Sequence, residues 1–417
     1  MDYYEKAIEL ARTYKGKIGI KPKVRIRSYK DFSLLYTPGV AGVSKLIKEK
    51  NERFLTYKWN SVAIVTDGTR VLGLGDIGPD AAMPVMEGKA LLFKYLGGVD
   101  AIPITLGTKD KNAIVEAVKS IAPSFSGINL EDIESPKSFE ILDRLQKELN
   151  MPVWHDDNQG TAAAALAAFI NAMKLVNKNA SEVKVLFIGA GTANLSTYRL
   201  LKEYGINPKK AILVDSKGVL YKGRADEDEL RQKNPEKYKV MQETNGEDAR
   251  NIEDAAKGAD VIIGASTKGA IKEDWIRSMN SDAIVFALAN PEPEIERKKA
   301  LRAGARIYAS GRSDMPNQVN NSLIFPGVFR GVLDVQAKKI TDKMAITGAI
   351  ELAKYAEEKG LSYDYIIPKM SESEAYYRLA AAVGVEAQKE GLAEVSASYD
   401  ELYQKAKEII ESSRKWK

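Results

Sequence analysis

The 417 residues predict an α/β protein: two mainly parallel sheets in succession, each wrapped by helices, followed by a helical end. Three observations carry that prediction. Short apolar runs alternate with helix-period segments through the first third of the chain. A second such series begins after an alanine-rich stretch. From about Phe325 the strand pattern stops. A chain this long exceeds one ordinary core and can bury two.

The first series comprises SVAIVTDG, DAIPITLG, FSGINLED and MPVWHDD, with KNAIVEAVKSIA and SFEILDRLQKEL as helices between them. Carboxylates, glycines and turn residues fall just after these apolar runs, where open α/β sheets place their ligands. The second series, VKVLFIGAG, KAILVDSKG, DVIIGAS, AIVFALANP and RIYASGR, has the count and rhythm of one Rossmann-type nucleotide-binding domain. The end, through VFRGVLDVQA, TDKMAITGAIELAKYAEEKG and ELYQKAKEIIESSRKWK, reads as helix. The expected divisions are 1–157 for the N-terminal α/β domain, 158–324 for the nucleotide-binding domain and 325–417 for a helical segment packing back on the core. The polar stretch from Tyr221 to Arg250 is expected to be an exposed excursion of the second domain.

Composition excludes several classes. Apolar residues at 44% and charged residues at 29% rule out general disorder. No stretch approaches the roughly 20 apolar residues that span a bilayer, and MDYYEKAIELARTYKGK has no apolar signal core, so a cytoplasmic protein without membrane partners is expected. The +5 formal charge is spread over 62 basic and 57 acidic residues with no aromatic-interleaved basic run, so no nucleic-acid partner is expected. Cysteine is absent, which excludes disulfides and thiolate chemistry. With His155 the sole histidine, any metal site must be oxygen-rich and favours Mg²⁺ or Mn²⁺ over zinc.

VKVLFIGAGTANLSTYRLL supplies a β-branched strand, a tight turn at Gly189 and Gly191, and a helix opening on Thr192, Ala193 and Asn194, whose amides suit a pyrophosphate. Asn194 stands where the G-x-G-x-x-G fingerprint has its third glycine, so the packing of helix on strand should differ slightly. Asp215, closing AILVDSKG, stands where an acid receives the adenine ribose. It should repel a 2′-phosphate, yet Ser216 and Lys217 suit one, so NAD and NADP both stay open.

Glu131 and Asp132 follow one apolar run, and Asp156 and Asp157 the next, so four carboxylates should converge at neighbouring strand ends. Unpaired, they would repel one another, and a divalent cation resolves that. Taken singly, each also reads as a helix N-terminal charge or a solvated turn. Lys89 ends a glycine-dense segment at what reads as the start of an apolar helix, where the helix dipole and apolar neighbours favour a neutral amine able to act as a general base. Arg70, in VTDGTRVLG, suits a bidentate grip on a carboxylate. Tyr36, in LLYTPGVAGV, precedes a Pro38-Gly39 turn that would hold its phenol at a cleft. Asn290, Asn320 and Asn321 offer neutral donors and acceptors after second-domain strands, or simply form turns.

From about Tyr36 to Ala337 the motifs YTPGVA, TDGTRVLGLGDIGP, MPVMEGKA, GINLEDI, HDDNQGTA, ALANP, SGRSDMPNQVNN and FPGVFRGVLDV resemble, in order, those of malic enzymes of the short prokaryotic type. The resemblance implies divalent-metal-dependent oxidative decarboxylation of L-malate to pyruvate and CO₂ with reduction of NAD or NADP. It implies Glu131, Asp132 and Asp157 as ligands of Mg²⁺ or Mn²⁺, Lys89 as base with Asp156 orienting it or sharing its proton, and Tyr36 as proton donor to C3. Arg70, Asn290 and Asn321 would hold malate. Gly189, Gly191, Thr192, Ala193, Asn194, Asp215 and Asn290 would hold the cofactor. A homodimer or higher homo-oligomer is expected. Two departures stand out: Asn194, and Pro79-Asp80 in the glycine-rich loop ahead of Lys89. His155 is assigned a structural role, and the alanines behind it should let their helix pack closely between the domains. Two other readings stay open: an NAD(P)-dependent amino-acid or hydroxy-acid dehydrogenase without decarboxylation, and a dinucleotide-binding regulatory protein with a dead site.

Overall fold

The computed structural model describes residues 3–50 and 52–415. Strands β1 (Ser61–Thr66), β2 (Asp100–Thr105), β3 (Gly127–Leu130) and β4 (Val153–His155) form a parallel sheet in the order β2-β1-β3-β4. Strands β5 (Val185–Ile188), β6 (Ala211–Asp215), β7 (Gly218–Val219), β8 (Val261–Gly264), β9 (Ala283–Ala287) and β10 (Ala305–Ser310) form a second sheet in the order β10-β9-β8-β5-β6-β7, parallel except for the short β7. This is the Rossmann order. Strands β1, β3, β4, β5, β8 and β9 are buried along their whole length, which is why they read as continuous apolar runs rather than alternating ones. In each sheet the strand order reverses once, between β1 and β3 and between β5 and β8, and a crevice opens there at the carboxyl ends.

The helix Gly78–Gly97 joins β1 to β2 and buries Met86, Lys89, Ala90 and Phe93, a stripe at helical spacing. The segment expected to be a glycine-rich loop is therefore its first turn. Pro79 fits there because an N–H at that position has no intrahelical acceptor, and Asp80 faces the positive helix end. Lys89 consequently lies inside the helix rather than at its start.

The alanine-rich helix Thr161–Leu175 is buried without a break from Ala162 to Met173 and packs against the helices Thr192–Tyr204 and Asp342–Lys359. Its Asn171 amide donates to the carbonyls of Ala353 (2.8 Å) and Ile366 (2.9 Å). One apolar cluster runs from Val62 and Phe93 through these alanines to Phe187 and Phe286, so the two sheets share a core.

After β10 come the helices Phe325–Asp334, Asp342–Lys359, Ser373–Lys389 and Tyr399–Ser413. They return to the first sheet: Phe325 meets Phe93 tilted and Phe329 meets it edge-on, at 4.5 and 5.2 Å between ring centroids. Arg414 Nε donates to the Tyr95 carbonyl at 2.8 Å. The stretch from Tyr221 to Arg250 is not merely an exposed excursion. It forms the helices Glu227–Lys233 and Pro235–Glu243 and buries Leu230, Val240, Met241 and Arg224. At the other extreme, the N-terminal helices Tyr3–Tyr14, Asp31–Leu35 and Gly39–Lys50 bury no residue. Among the described residues, no helix is long and apolar enough to cross a membrane.

Candidate active site

The carboxyl ends of β1, β3 and β4 converge on one buried cluster. Lys89 Nζ, carried in by the helix Gly78–Gly97, lies 2.5 Å from Asp156 Oδ2 and 2.9 Å from Glu131 Oε1, with the Phe325 ring 4.6 Å away. The strand alternation that brings these acids to one face also supplies their supports. Two residues upstream of each acid stands a donor: Asn129 Nδ2 donates to Glu131 Oε2 at 2.8 Å, and Trp154 Nε1 to Asp156 Oδ1 at 3.1 Å. Neither Asn129, Trp154 nor Phe325 was picked out from the sequence. Counting back two residues from each strand-end acid would have found the first two.

After β4 the chain makes a π-helical turn, Asp156–Gly160, before the alanine helix begins. Such turns recur at functional sites because the extra residue re-aims side chains. A Cβ on Gly160 would strike the Asp156 carboxylate and stand 3.0 Å from Asn321 Cβ, so glycine is required there and Asn321 lies beside the cluster. Asp132 has φ +52°, and its N–H donates to Asp157 Oδ2 at 2.9 Å. Carboxylate oxygens of Glu131, Asp132 and Asp157 all lie within 4.8 Å of one another, a spacing that suits a metal ion. The Arg70 N–H donates to the Asp132 carbonyl at 3.0 Å, and its guanidinium is near enough to favour ionised Asp157. The carbonyl of Asn290 and the ring of Pro291, from the second domain, lie beside Gly73, so a loop of the second domain meets the one that follows Arg70.

Burial pushes the Glu131, Asp156 and Asp157 carboxyls up, against the pull of Lys89. For Lys89 the balance reverses: burial favours the neutral amine, but the Asp156 and Glu131 carboxylates outweigh it and hold the ammonium. The two carboxylates thus work against the neutral amine expected from an apolar helix start. His155 is fully buried and pushed down to about 4, chiefly by burial, so it is a neutral imidazole at pH 7. Its Nδ1 stands 3.9 Å from Asp157 Oδ2, beyond hydrogen-bond reach. Tyr36 is not seated in a cleft. Its side chain is 69% exposed and, among the described residues, makes no hydrogen bond.

In the second sheet, Gly189 has φ +97° and passes so close to the β8 end that a Cβ would stand 2.6 Å from the Ala265 carbonyl oxygen. Gly191 precedes the helix Thr192–Tyr204 and faces open space, leaving a pyrophosphate room to approach the amides of Thr192 and Ala193. Asn194 explains its departure from glycine: its amide donates to the Ile188 and Ile263 carbonyls, both at 3.1 Å, tying helix to strands β5 and β8. Asn290 Nδ2 donates to the Gly311 carbonyl at 3.3 Å, and Asn320 accepts from the Ser322 N–H as a helix cap.

Two family models match the chain: the malic enzyme N-terminal domain over residues 15–114 and the malic enzyme NAD-binding domain over residues 158–388. The chain belongs to the malic enzyme family. It is 45% identical over 413 residues to the bifunctional malic/malolactic enzyme of Bacillus subtilis, covering 98% of this chain and 99% of that one. It is also 45% identical over 381 residues to the NAD-dependent malic enzyme of Geobacillus stearothermophilus, covering 91% of this chain and 78% of the other. Among solved structures, the malic enzyme of Entamoeba histolytica superposes with a TM-score of 0.95 at 44% identity, covering 99% of this chain and 87% of that one. That of Pyrococcus horikoshii superposes at 0.92 with 45% identity, covering 98% and 96%. As a malic enzyme the chain is an oxidoreductase that uses a nicotinamide cofactor, which decides against the regulatory reading.

Proposed function

We propose that the cluster around Lys89 converts L-malate to pyruvate and CO₂ with reduction of NAD or NADP, using Mg²⁺ or Mn²⁺. The observation that carries this reading is a buried lysine clamped by two carboxylates at the strand ends that also gather three oxygen donors. The donor set fits a hard divalent cation. Four carboxyl groups, Glu131, Asp132, Asp156 and Asp157, gather around two cationic side chains, Lys89 and Arg70, an excess of acids that a divalent cation would offset. Glu131, Asp132 and Asp157 would hold the cation.

When bound, a divalent cation held by Glu131, Asp132 and Asp157 would supply Lewis acidity, and a nicotinamide dinucleotide held at the Gly189 turn would supply the hydride acceptor. Arg70, Asn290 and Asn321 orient malate at the cleft where the two domains' loops meet. Lys89 Nζ passes its proton to Asp156 Oδ2, 2.5 Å away, and takes the proton of the C2 hydroxyl. Because Tyr36 is exposed in the single chain, its delivery of a proton to C3 of enolpyruvate after CO₂ has left requires a second copy that brings the phenol to the cleft. Since no residue from Tyr3 to Lys50 is buried, and Tyr29, Leu34 and Tyr36 stand out from this segment, a homo-oligomer in which a second copy covers it accounts for both the exposed apolar side chains and the exposed phenol.

The test is an absorbance assay of malate oxidation with each cofactor in turn. Activity should vanish with EDTA and return with Mn²⁺. Malate oxidation that persists without a divalent cation would sink the metal assignment and favour a metal-free hydroxy-acid dehydrogenase. Sedimentation at the assay concentration reads the oligomer.

A further inference from the structure

Two loops of the first sheet with different duties are joined by one hydroxyl. The chain leaves β1 through Asp67, Gly68 and Thr69 before Arg70, and leaves β3 through Glu131 and Asp132 before Glu134. Thr69 is buried, and its Oγ1 donates to Asp67 Oδ1 at 2.6 Å while accepting from the Glu134 N–H at 3.0 Å. One residue on, the Arg70 N–H donates to the Asp132 carbonyl at 3.0 Å. These two bonds run in opposite directions between the loops, so sliding one loop along the other breaks both.

Asp67 aims the hydroxyl. Its side chain is fully buried, its Oδ1 also accepts from the Thr69 N–H at 3.1 Å, and its Oδ2 lies 2.7 Å from Lys137 Nζ. A carboxylate only accepts, so the single hydroxyl proton points to Asp67 and the lone pairs of Thr69 Oγ1 are left for Glu134. Lys137, the first residue of the helix Lys137–Glu148, also donates to the Lys109 carbonyl beyond β2 at 3.2 Å. The Gly68 carbonyl accepts from the Ile77 and Gly78 N–H groups, where the helix that carries Lys89 begins. Asp132, at φ +52°, is in a backbone state that a residue with a side chain keeps only where its surroundings hold it.

We propose that Thr69 is a positioning residue for the reaction centre: its hydroxyl, aimed by Asp67, clips the loop after β3 to the loop after β1 and so fixes the spacing between Arg70 and Asp132. The inference rests on the proposed reading in which Arg70 orients malate and Asp132 helps to hold the divalent cation. It adds that the malate grip and the metal cradle form a single unit. Loosening the clip weakens both together and leaves the dinucleotide turn of the second sheet alone.

Thr69→Val, which keeps the shape and removes the hydroxyl, and Thr69→Ser, which keeps the hydroxyl, separate this role from packing. In the full-length protein, Thr69→Val should weaken Mn²⁺ by about 10-fold, read by electron paramagnetic resonance without malate, and raise the malate KM by about 10-fold. At saturating malate and Mn²⁺ its kcat should stay within about 3-fold of the wild type, because the loss falls on binding, and its NADPH affinity by fluorescence titration within about twofold. Thr69→Ser should match the wild type within about 3-fold in all four quantities. Mn²⁺ affinity and malate KM both left within about twofold by Thr69→Val, NADPH affinity falling along with them, or Thr69→Ser as impaired as Thr69→Val would each overturn the proposal. If Thr69→Val fails to fold, Thr69→Ala read in the same way decides. A wild type that binds no Mn²⁺ would instead overturn the metal reading on which the inference rests.

Discussion

Asp156 and Asp215 are both buried carboxylates at strand ends, each bonded to a cation, and they do opposite things. Around Asp215 the acids Asp215, Asp226 and Glu229 are each paired with cations, drawn from Arg224, Lys217, Lys237 and Lys233, and every lone pair of the central carboxylate is used. Around Asp156 the acids outnumber the cations, and the amide of the fully buried Asn158 finds no hydrogen-bond partner among the described residues. Balance marks a structural tie that holds a helix pair to a sheet. Imbalance marks a place built for something else to arrive, because buried charge and buried amides persist only where a further partner repays their cost.

The comparison can be broken or sharpened. The largest effect should come from Lys89→Ala: kcat for malate oxidation falls by about 10³-fold, within the usual range for a lost general base, while NADPH affinity measured by fluorescence stays within about twofold. A fall of less than about tenfold would make the lysine a charge balancer only. Next, Asp157→Asn should weaken Mn²⁺, read by electron paramagnetic resonance, by about 100-fold, whereas Asp215→Asn should leave it unchanged. Equal losses in both would erase the distinction between the two strand ends.

Smaller effects should appear in stability. Asn194→Ala leaves two buried carbonyls without their donor, and urea unfolding should show a loss of about 1–3 kcal/mol. Smallest is Asp260, another balanced acid. Burial alone would raise its carboxyl, but Lys178 Nζ, the Asn280 amide and the Lys184 N–H hold it below the usual carboxylate value. A depressed folded value stabilises the protein above pH about 4 and is lost as pH falls through it, so Asp260→Asn should cost about 1–2 kcal/mol at pH 7 and progressively less below pH about 4. A cost independent of pH would show that packing rather than charge is at stake.

Much of the architecture was legible because it rests on local pattern. Nine of the ten strands coincide with the apolar runs read from the chain, and only the two-residue β7 escaped. The carboxylates of the first domain were legible as a group because each pair ends a strand. The state of Lys89 was not. GLGDIGPDAAMPVMEGK reads as loop by its glycines and prolines, yet tertiary packing makes most of it helix and sets the lysine against two acids from distant strands. The Asp215 tie was hidden for a similar reason: nothing in YKGRADEDEL distinguishes a solvated arginine from one folded back onto β6. Tyr36 shows the opposite limit, a residue whose motif is clear and whose surroundings within one chain are bare.

Phe325 adds a consequence in the order of synthesis. The cluster draws Lys89, Glu131 and Asp156 from the first part of the chain, but the ring beside the ammonium belongs to a helix made only after the entire second sheet, and Pro326 in that helix lies against Gly97. A ribosome-bound chain that has reached the end of β10 therefore carries its acids and its lysine without the aromatic neighbour that stands over them. The apolar wall beside Lys89 arrives late, so the proposed reaction centre is complete only once a distant part of the polypeptide has been made.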